Sequence, residues 1–402
     1  MKKAKKKTTS KKFNSIKKFS TIEVIFLVVV TCLVSLYFGT KITYKETNND
    51  EFISEIEKVY EEITTNYYTD VNKDDLLSGA INGMTSALDK YSTLIDSSDE
   101  NFYLTLEGSY SGIGIEISSD SDNNILIVGV LSNSPAEKAG LKAGDILKKI
   151  DDIDLSDKTY KYVSEYIRKN SNKNEYKIEI SRNGEILNYS LKKDTVTIKS
   201  VSSKIIEKEN KKIGYIYISI FSNTTTSQFK NELDNLKNSG ITSLIIDVRE
   251  NSGGHLTTAV GILSELLSSE NVIYQIEKNN KKSKFYSLGK TNFEYPIAII
   301  QNANSASASE LLAISLKENL NAIIVGETSY GKGTVQELNY LSNGDSYKYT
   351  TKKWLSPKGN WIEDKGITPD YEVELSEEFI NNPTDENDNQ LQTAIDELLK
   401  KM

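Results

Sequence analysis

Three short stretches of this chain carry residue types that do chemistry. Asn304-Ser305-Ala306-Ser307-Ala308-Ser309-Glu310 lies between an apolar run and a helix-forming one. A serine at a strand-to-helix turn stands exposed beside the unpaired N–H groups of a helix start, a setting suited to a nucleophile. The same residues also fit a helix capping box, Ser307 to Glu310, and both readings stay open at this level. Gly331-Lys332-Gly333-Thr334 holds a lysine between two glycines, either a solvated turn residue or a buried base. It is not a phosphate loop, because glycine stands where a hydroxyl is needed and strands follow rather than a helix. Asp247-Val248-Arg249-Glu250-Asn251-Ser252-Gly253-Gly254 ends an apolar strand. Its paired glycines permit positive φ and a nest of N–H groups that would hold an oxyanion, or simply join a strand to a helix.

A serine nucleophile needs something to take its proton. The chain has 1 histidine, His255, and 1 cysteine, Cys32. That excludes a multi-histidine zinc site, an internal disulfide and a cysteine-based metal site. His255 follows Gly254 at a helix start, where a capping or surface role fits. Lysine is the other base. A free lysine has a pKa near ~10.4, so about one in a few thousand is neutral at pH 7, and burial is what lowers it. Flanking glycines and apolar strands offer such a setting, and serine–lysine pairs are a known variant of the triad logic.

In order and spacing the three stretches resemble the carboxy-terminal processing (tail-specific) protease family. The lysine follows the middle serine by 332 − 307 = 25 residues, and a glutamine follows by 336 − 332 = 4. The resemblance implies Ser307 as nucleophile, Lys332 as general base and Gln336 as the group orienting the lysine. It implies an oxyanion hole from the N–H groups of Gly253 and Ala308. It runs over roughly residues 50–375 and includes a closing motif, Gly366-Ile367-Thr368-Pro369-Asp370. One departure is Ser252, where the family commonly has proline, which implies a looser oxyanion loop.

A second resemblance, to the PDZ domain, rests on Ser111-Gly112-Ile113-Gly114-Ile115-Glu116 and on Ser134-Pro135-Ala136 through Gly144-Asp145. It implies a peptide-binding loop at Gly112, Ile113, Gly114 and Ile115. The N–H groups of the last three would hold a terminal carboxylate, while the peptide adds as a strand beside residues 115–117.

The elements that must position these groups follow from periodicity. Length, at 402 residues, points to two or three domains, and 38% hydrophobic content is enough for packed cores. The formal charge of −8 argues against nucleic acid as a partner. Residues 1–21 are lysine-rich and read as a cytoplasmic basic tail. Residues 22–39 are apolar except for Glu23 and reach about 27 Å as a helix, the span of a membrane anchor. The lysine flank places the rest outside the cytoplasmic membrane of a bacterium. A cleaved signal peptide is the competing reading, although Tyr37-Phe38-Gly39-Thr40 makes a poor cleavage site.

Residues 40–106 read as a linker and a helical segment, with Phe52, Ile56, Val59, Tyr60 and Ile63 on one face. That face exceeds what the segment buries alone, so a homodimer is expected. Residues 107–193 form the PDZ domain, of α+β type. Residues 194–375 alternate strands and helices around a mostly buried sheet, an α/β serine protease core. Residues 376–402 read as an acidic C-terminal tail with a helical end. No internal repeat occurs.

The expectation is a multidomain α/β serine endopeptidase that takes proteins or peptides with exposed C-termini, without metal or cofactor. The alternatives are a catalytically silent PDZ scaffold and a non-protease relative built on the same core.

Overall fold

The computed structural model describes residues 49–95, 106–170 and 172–402, with isolated positions between 20 and 31. Residues 1–19 and most of 22–39 therefore lie outside the described residues. Among those described, no helix is long and apolar enough to cross a membrane.

The chain divides into two units, residues 1–79 and 80–402. The first holds the helix Asn49–Asn66 and the start of a helix over Lys73–Ser86. Along Asn49–Asn66 the apolar stripe forms at the expected spacing. Its members Phe52, Ile56, Val59, Tyr60 and Ile63 stay 37–54% exposed.

In the second unit a 6-stranded sheet forms the centre of the region after residue 200, in the order 201–208, 211–218, 243–247, 297–301, 323–326, 371–372. The first pair is antiparallel and the rest run parallel. Period-2 alternation divides its side chains between two cores. Leu244, Ile246, Ile297 and Ile299 pack beneath the helices Thr225–Asn238, Leu256–Leu266 and Ala308–Leu320. Ile245, Ala298 and Ile300 face the opposite layer, where Leu391, Ala394, Ile395 and Leu398 meet them. Each fully buried Leu or Ile among them contributes about 1.5–3 kcal/mol.

Those last four residues belong to the segment read as an acidic tail. Its expected helical end forms as the helix Asn389–Leu399, but as part of the core rather than a tail, packing on the strands 243–247, 297–301 and 323–326. Its spacing, 391, 394, 395, 398, is an amphipathic stripe hidden among charges. A second difference lies at Thr93–Ile95, inside the stretch read as helical. These residues form a strand that pairs with Ser346–Leu355. Three residues carry no helical period, and a sheet edge decides their conformation.

A 5-stranded antiparallel sheet, built mainly from the hairpins 272–286 and 334–355, flanks the core. The module between Gly112 and Asp194 is another sheet, in the order 115–119, 125–130, 146–150, 175–182, 185–192. Its chain enters and leaves through one ribbon, in which Ser109–Gly112 pairs with Asp194–Thr197. Ser134 caps the short helix Pro135–Ala139, its Oγ accepting from Glu137 N–H at 3.2 Å, with proline at the first position as expected.

Candidate active site

Ser307 is the N-cap of the helix Ala308–Leu320, in the turn after the strand Ile297–Gln301. Its backbone has φ 55° and ψ −110°, a conformation a non-glycine residue holds only under constraint from its neighbours. Three contacts supply that constraint. Ala306 N–H and Ser309 Oγ both donate to Asn251 O, at 3.0 and 2.8 Å, and Ser305 Oγ donates to Val248 O at 2.8 Å. The serine turn is thus stitched to the glycine loop.

Glu310, fully buried, joins the serine to the lysine. One carboxylate oxygen accepts from Ser307 N–H at 2.7 Å and Lys332 N–H at 2.9 Å. The other accepts from Ser329 Oγ at 2.6 Å and Gly331 N–H at 2.7 Å. Four donors fill the four lone pairs of an ionised carboxylate. Burial pushes its pKa up, and the donors pull it back. So the capping-box reading holds for its Glu310 half, and the same carboxylate also anchors the lysine loop.

Lys332 is largely buried, and burial is the main cause that lowers its pKa; the nearby Lys348 adds to the fall. Glu363, Glu310 and Asp89 oppose it. Its Nζ stands 4.8 Å from the centre of the Tyr91 ring. Among the described residues no hydrogen bond joins it to Ser307 Oγ. Gln336 does not reach the lysine either. Its amide donates to Thr334 Oγ1 and Thr350 Oγ1, each at 3.0 Å.

The expected oxyanion donors differ from each other. Ala308 N–H, in the first turn of its helix, donates to no described group. Gly253 N–H is engaged by Asn251 Oδ1 at 2.9 Å. The glycine itself is dictated by geometry. Its φ is +108°, and a Cβ there would lie 2.9 Å from Ser307 Cβ. His255 makes no side-chain cap bond, and its buried Nε2 has no hydrogen-bond partner among the described residues.

Sequence reasoning missed Tyr91 and Asn251, and saw Glu310 only as a cap. Asp89-Lys90-Tyr91-Ser92 has the composition of an Asx-turn, but nothing in spacing links it to Lys332. Asp247 and Arg249 were likewise only part of a strand end. Arg249 clamps Asp247 and Asp388, at 2.5 and 2.7 Å, which fixes the last helix to the root of the glycine loop.

In the second module the strand Ile115–Ser119 is an edge of its sheet, beside the helix Tyr160–Lys169. Ile115, Ile117, Tyr160 and Ile167 of these two elements are partly buried against the module's core. The N–H groups of Ile113 and Gly114 donate to no described group. Gly112 ends the entry ribbon, and Ile113 is buried.

The model of "Peptidase family S41" matches residues 212–373, "PDZ domain" matches 111–192, and "Activating protease CtpB N-terminal domain" matches 37–99. The carboxy-terminal processing protease CtpB of Bacillus subtilis is 36% identical over 342 residues, covering 84% of this chain and 71% of that protein. CtpA of the same organism is 32% identical over 366 residues, covering 88% and 78%.

Proposed function

This chain belongs to the carboxy-terminal processing proteases, serine-type peptidases with a PDZ domain, and we propose that it cuts with Ser307 as nucleophile and Lys332 as general base. Its substrates are proteins or peptides. The single observation that carries the dyad is Glu310, whose carboxylate holds Ser307 and Lys332 by their backbones at once.

Ser307 Oγ attacks the scissile carbonyl while Lys332 takes its proton, and Lys332 then passes that proton to the leaving amine. Water hydrolyses the resulting acyl-enzyme by the same route. Ala308 N–H is ready to hold the oxyanion. Gly253 N–H joins it once Asn251 Oδ1 lets go, and Gln336 turns from its two threonines toward the lysine. This arrangement is therefore a resting one, and substrate completes it.

Ser307→Ala and Lys332→Ala should each abolish cleavage and labelling by a serine-directed phosphonate, with folding retained, and His255→Ala should keep most activity. A dead His255→Ala beside an active Lys332→Ala would replace the dyad with a histidine mechanism. A chain that never reacts with the phosphonate would be a scaffold.

The lysine-rich flank and apolar run at 22–39 support a single-pass anchor with the catalytic region outside the cytoplasmic membrane. Protease added to intact cells should then digest the region after Lys41 and spare the N-terminus. The exposed stripe on Asn49–Asn66 supports a homodimer. A fragment starting at residue 45 that sediments as a monomer at micromolar concentration would count against it.

A further inference from the structure

Tyr91 sits in a turn that is tied down from three sides. Asp89 Oδ1 accepts from Tyr91 N–H at 2.9 Å, and from Ser92 N–H and Ser92 Oγ, each at 3.0 Å. Ser92 Oγ accepts in turn from Thr350 N–H at 3.2 Å, and the strand Thr93–Ile95 continues the pairing with Ser346–Leu355. On the other side Lys90 Nζ meets Asp364 Oδ1 at 2.8 Å, and Asp364 N–H donates to Gly331 O at 3.0 Å. The turn therefore moves with the lysine loop and with the hairpin that carries Gln336.

What this fixed turn presents is an aromatic ring. The ring centre lies 4.8 Å from Lys332 Nζ and 5.1 Å from Lys90 Nζ. The hydroxyl is buried and makes no hydrogen bond among the described residues, although Lys90 and Glu363 stand close enough to act on it. Burial also pushes the phenol up to about 12, which keeps it neutral and rules it out as a rival base. The π-face is what remains for Tyr91 to offer. A cation within about 6 Å of such a face is attracted to it, and a neutral amine largely is not.

We propose that Tyr91 is a positioning residue that seats the protonated Lys332 on its ring and thereby sets the pH at which the lysine becomes an active base. The proposal rests on Lys332 being that base. Its logic is a balance of opposing forces. Burial and Lys348 favour the neutral amine. Glu363, Glu310, Asp89 and the ring favour the ammonium. When the proton leaves, the attraction to the ring goes with it, and the amine is released toward Ser307. The seat therefore holds the inactive protonation state away from the nucleophile and frees the active one.

The test compares the full chain with Tyr91→Phe, Tyr91→Trp and Tyr91→Leu. The rate of phosphonate labelling at Ser307, and kcat/KM on a peptide, are followed from acidic to alkaline pH. Tyr91→Phe should leave the acidic limb in place, because the ring remains. Tyr91→Leu should move it to lower pH, by about 2- to 30-fold in the proton affinity of Lys332, and Tyr91→Trp should move it up. Coincident limbs in all four proteins would overturn the proposal, as would a shift in Phe equal to that in Leu. If Tyr91→Leu does not fold by circular dichroism, the order of Trp against Tyr and Phe decides alone. Lys332→Ala separates the two layers of the argument. Labelling of that variant at the wild-type rate would remove Lys332 as base. A dead Lys332→Ala with unmoved limbs would remove only the seat.

Discussion

The two recognition surfaces of the second unit are built from different materials. In the PDZ module the groups expected to bind are backbone N–H groups on an edge strand and its loop, and those of Ile113 and Gly114 are unengaged. In the catalytic region three of the groups proposed to work, two side chains and one loop N–H, are engaged elsewhere, and Ala308 N–H alone is unengaged. Lys332 rests on Tyr91, Gln336 on Thr334 and Thr350, and Gly253 N–H on Asn251. A backbone edge cannot find alternative partners without unfolding its sheet. A side chain can, so a catalytic centre of side chains has a resting state where a strand-edge site has none. That difference suits a protease, which must read a tail before it cuts.

The sharpest way to break the catalytic side is at its fixed point. Glu310→Gln replaces a four-acceptor carboxylate with an amide, whose NH2 must face two donors. Leaving buried donors unpaired costs about 1–3 kcal/mol each, so a total on the order of 3–5 kcal/mol is expected. Phosphonate labelling of Ser307 should fall by roughly 100-fold or more, because serine and lysine loops lose their shared anchor. Unchanged melting with wild-type labelling would mean the two loops are held independently.

How much of this was legible beforehand depends on the kind of signal. The helix Tyr160–Lys169 and the strand Ile125–Val130 could be read to the residue, because their periods are clean and their bounds carry cap or turn residues. Ser307, Lys332 and Gln336 were singled out by resemblance to a family motif whose members lie within one stretch of chain. Glu310 was in view but assigned only its local bond, since capping is a short-range pattern and its bonds to residues 329–332 are not. Tyr91 lies 332 − 91 = 241 residues before its lysine, and long-range strand pairing and the Lys90–Asp364 contact bring them together. The last helix was read within a residue of its bounds, but acidic composition around its four-residue stripe hid that it packs into the core.

On the PDZ side, Gly114→Asp and Gly114→Ala make a pair. Gly114 has φ +82°, and a Cβ there would lie 2.1 Å from Ser134 Cβ, so both variants meet the same clash. Aspartate alone adds a charge where a terminal carboxylate is expected. Tail-peptide affinity should fall in both, by about tenfold more for aspartate, and that extra loss should shrink as salt rises. Cleavage of a short unstructured peptide that bypasses the PDZ module should fall much less. Equal losses of tail binding and of bypass cleavage would mean that the two surfaces are one cooperative site, and the contrast drawn above would fail.

The smallest expected effect is on stability, and its sign is informative. Burial holds the pKa of Lys332 below its unfolded value near 10.5. Between the two values the unfolded chain binds more protons than the folded one, so stability rises with pH across that window. Below it the full penalty of a buried cation applies, partly offset by the Tyr91 ring. Lys332→Met keeps the length of the side chain and removes the charge. It should therefore melt above the wild type at neutral pH, by roughly 2–4 °C for each kcal/mol of penalty removed. The gap should close as pH rises toward 10.5, where both proteins carry a neutral group at this position. Thermal melts of the two proteins across that range decide it. A gap that is constant with pH would assign the gain to packing of the thioether. A wild type that melts higher at neutral pH would mean that the ring and the carboxylates outweigh burial, and Lys332 would then be stabilised as a cation rather than poised to lose its proton.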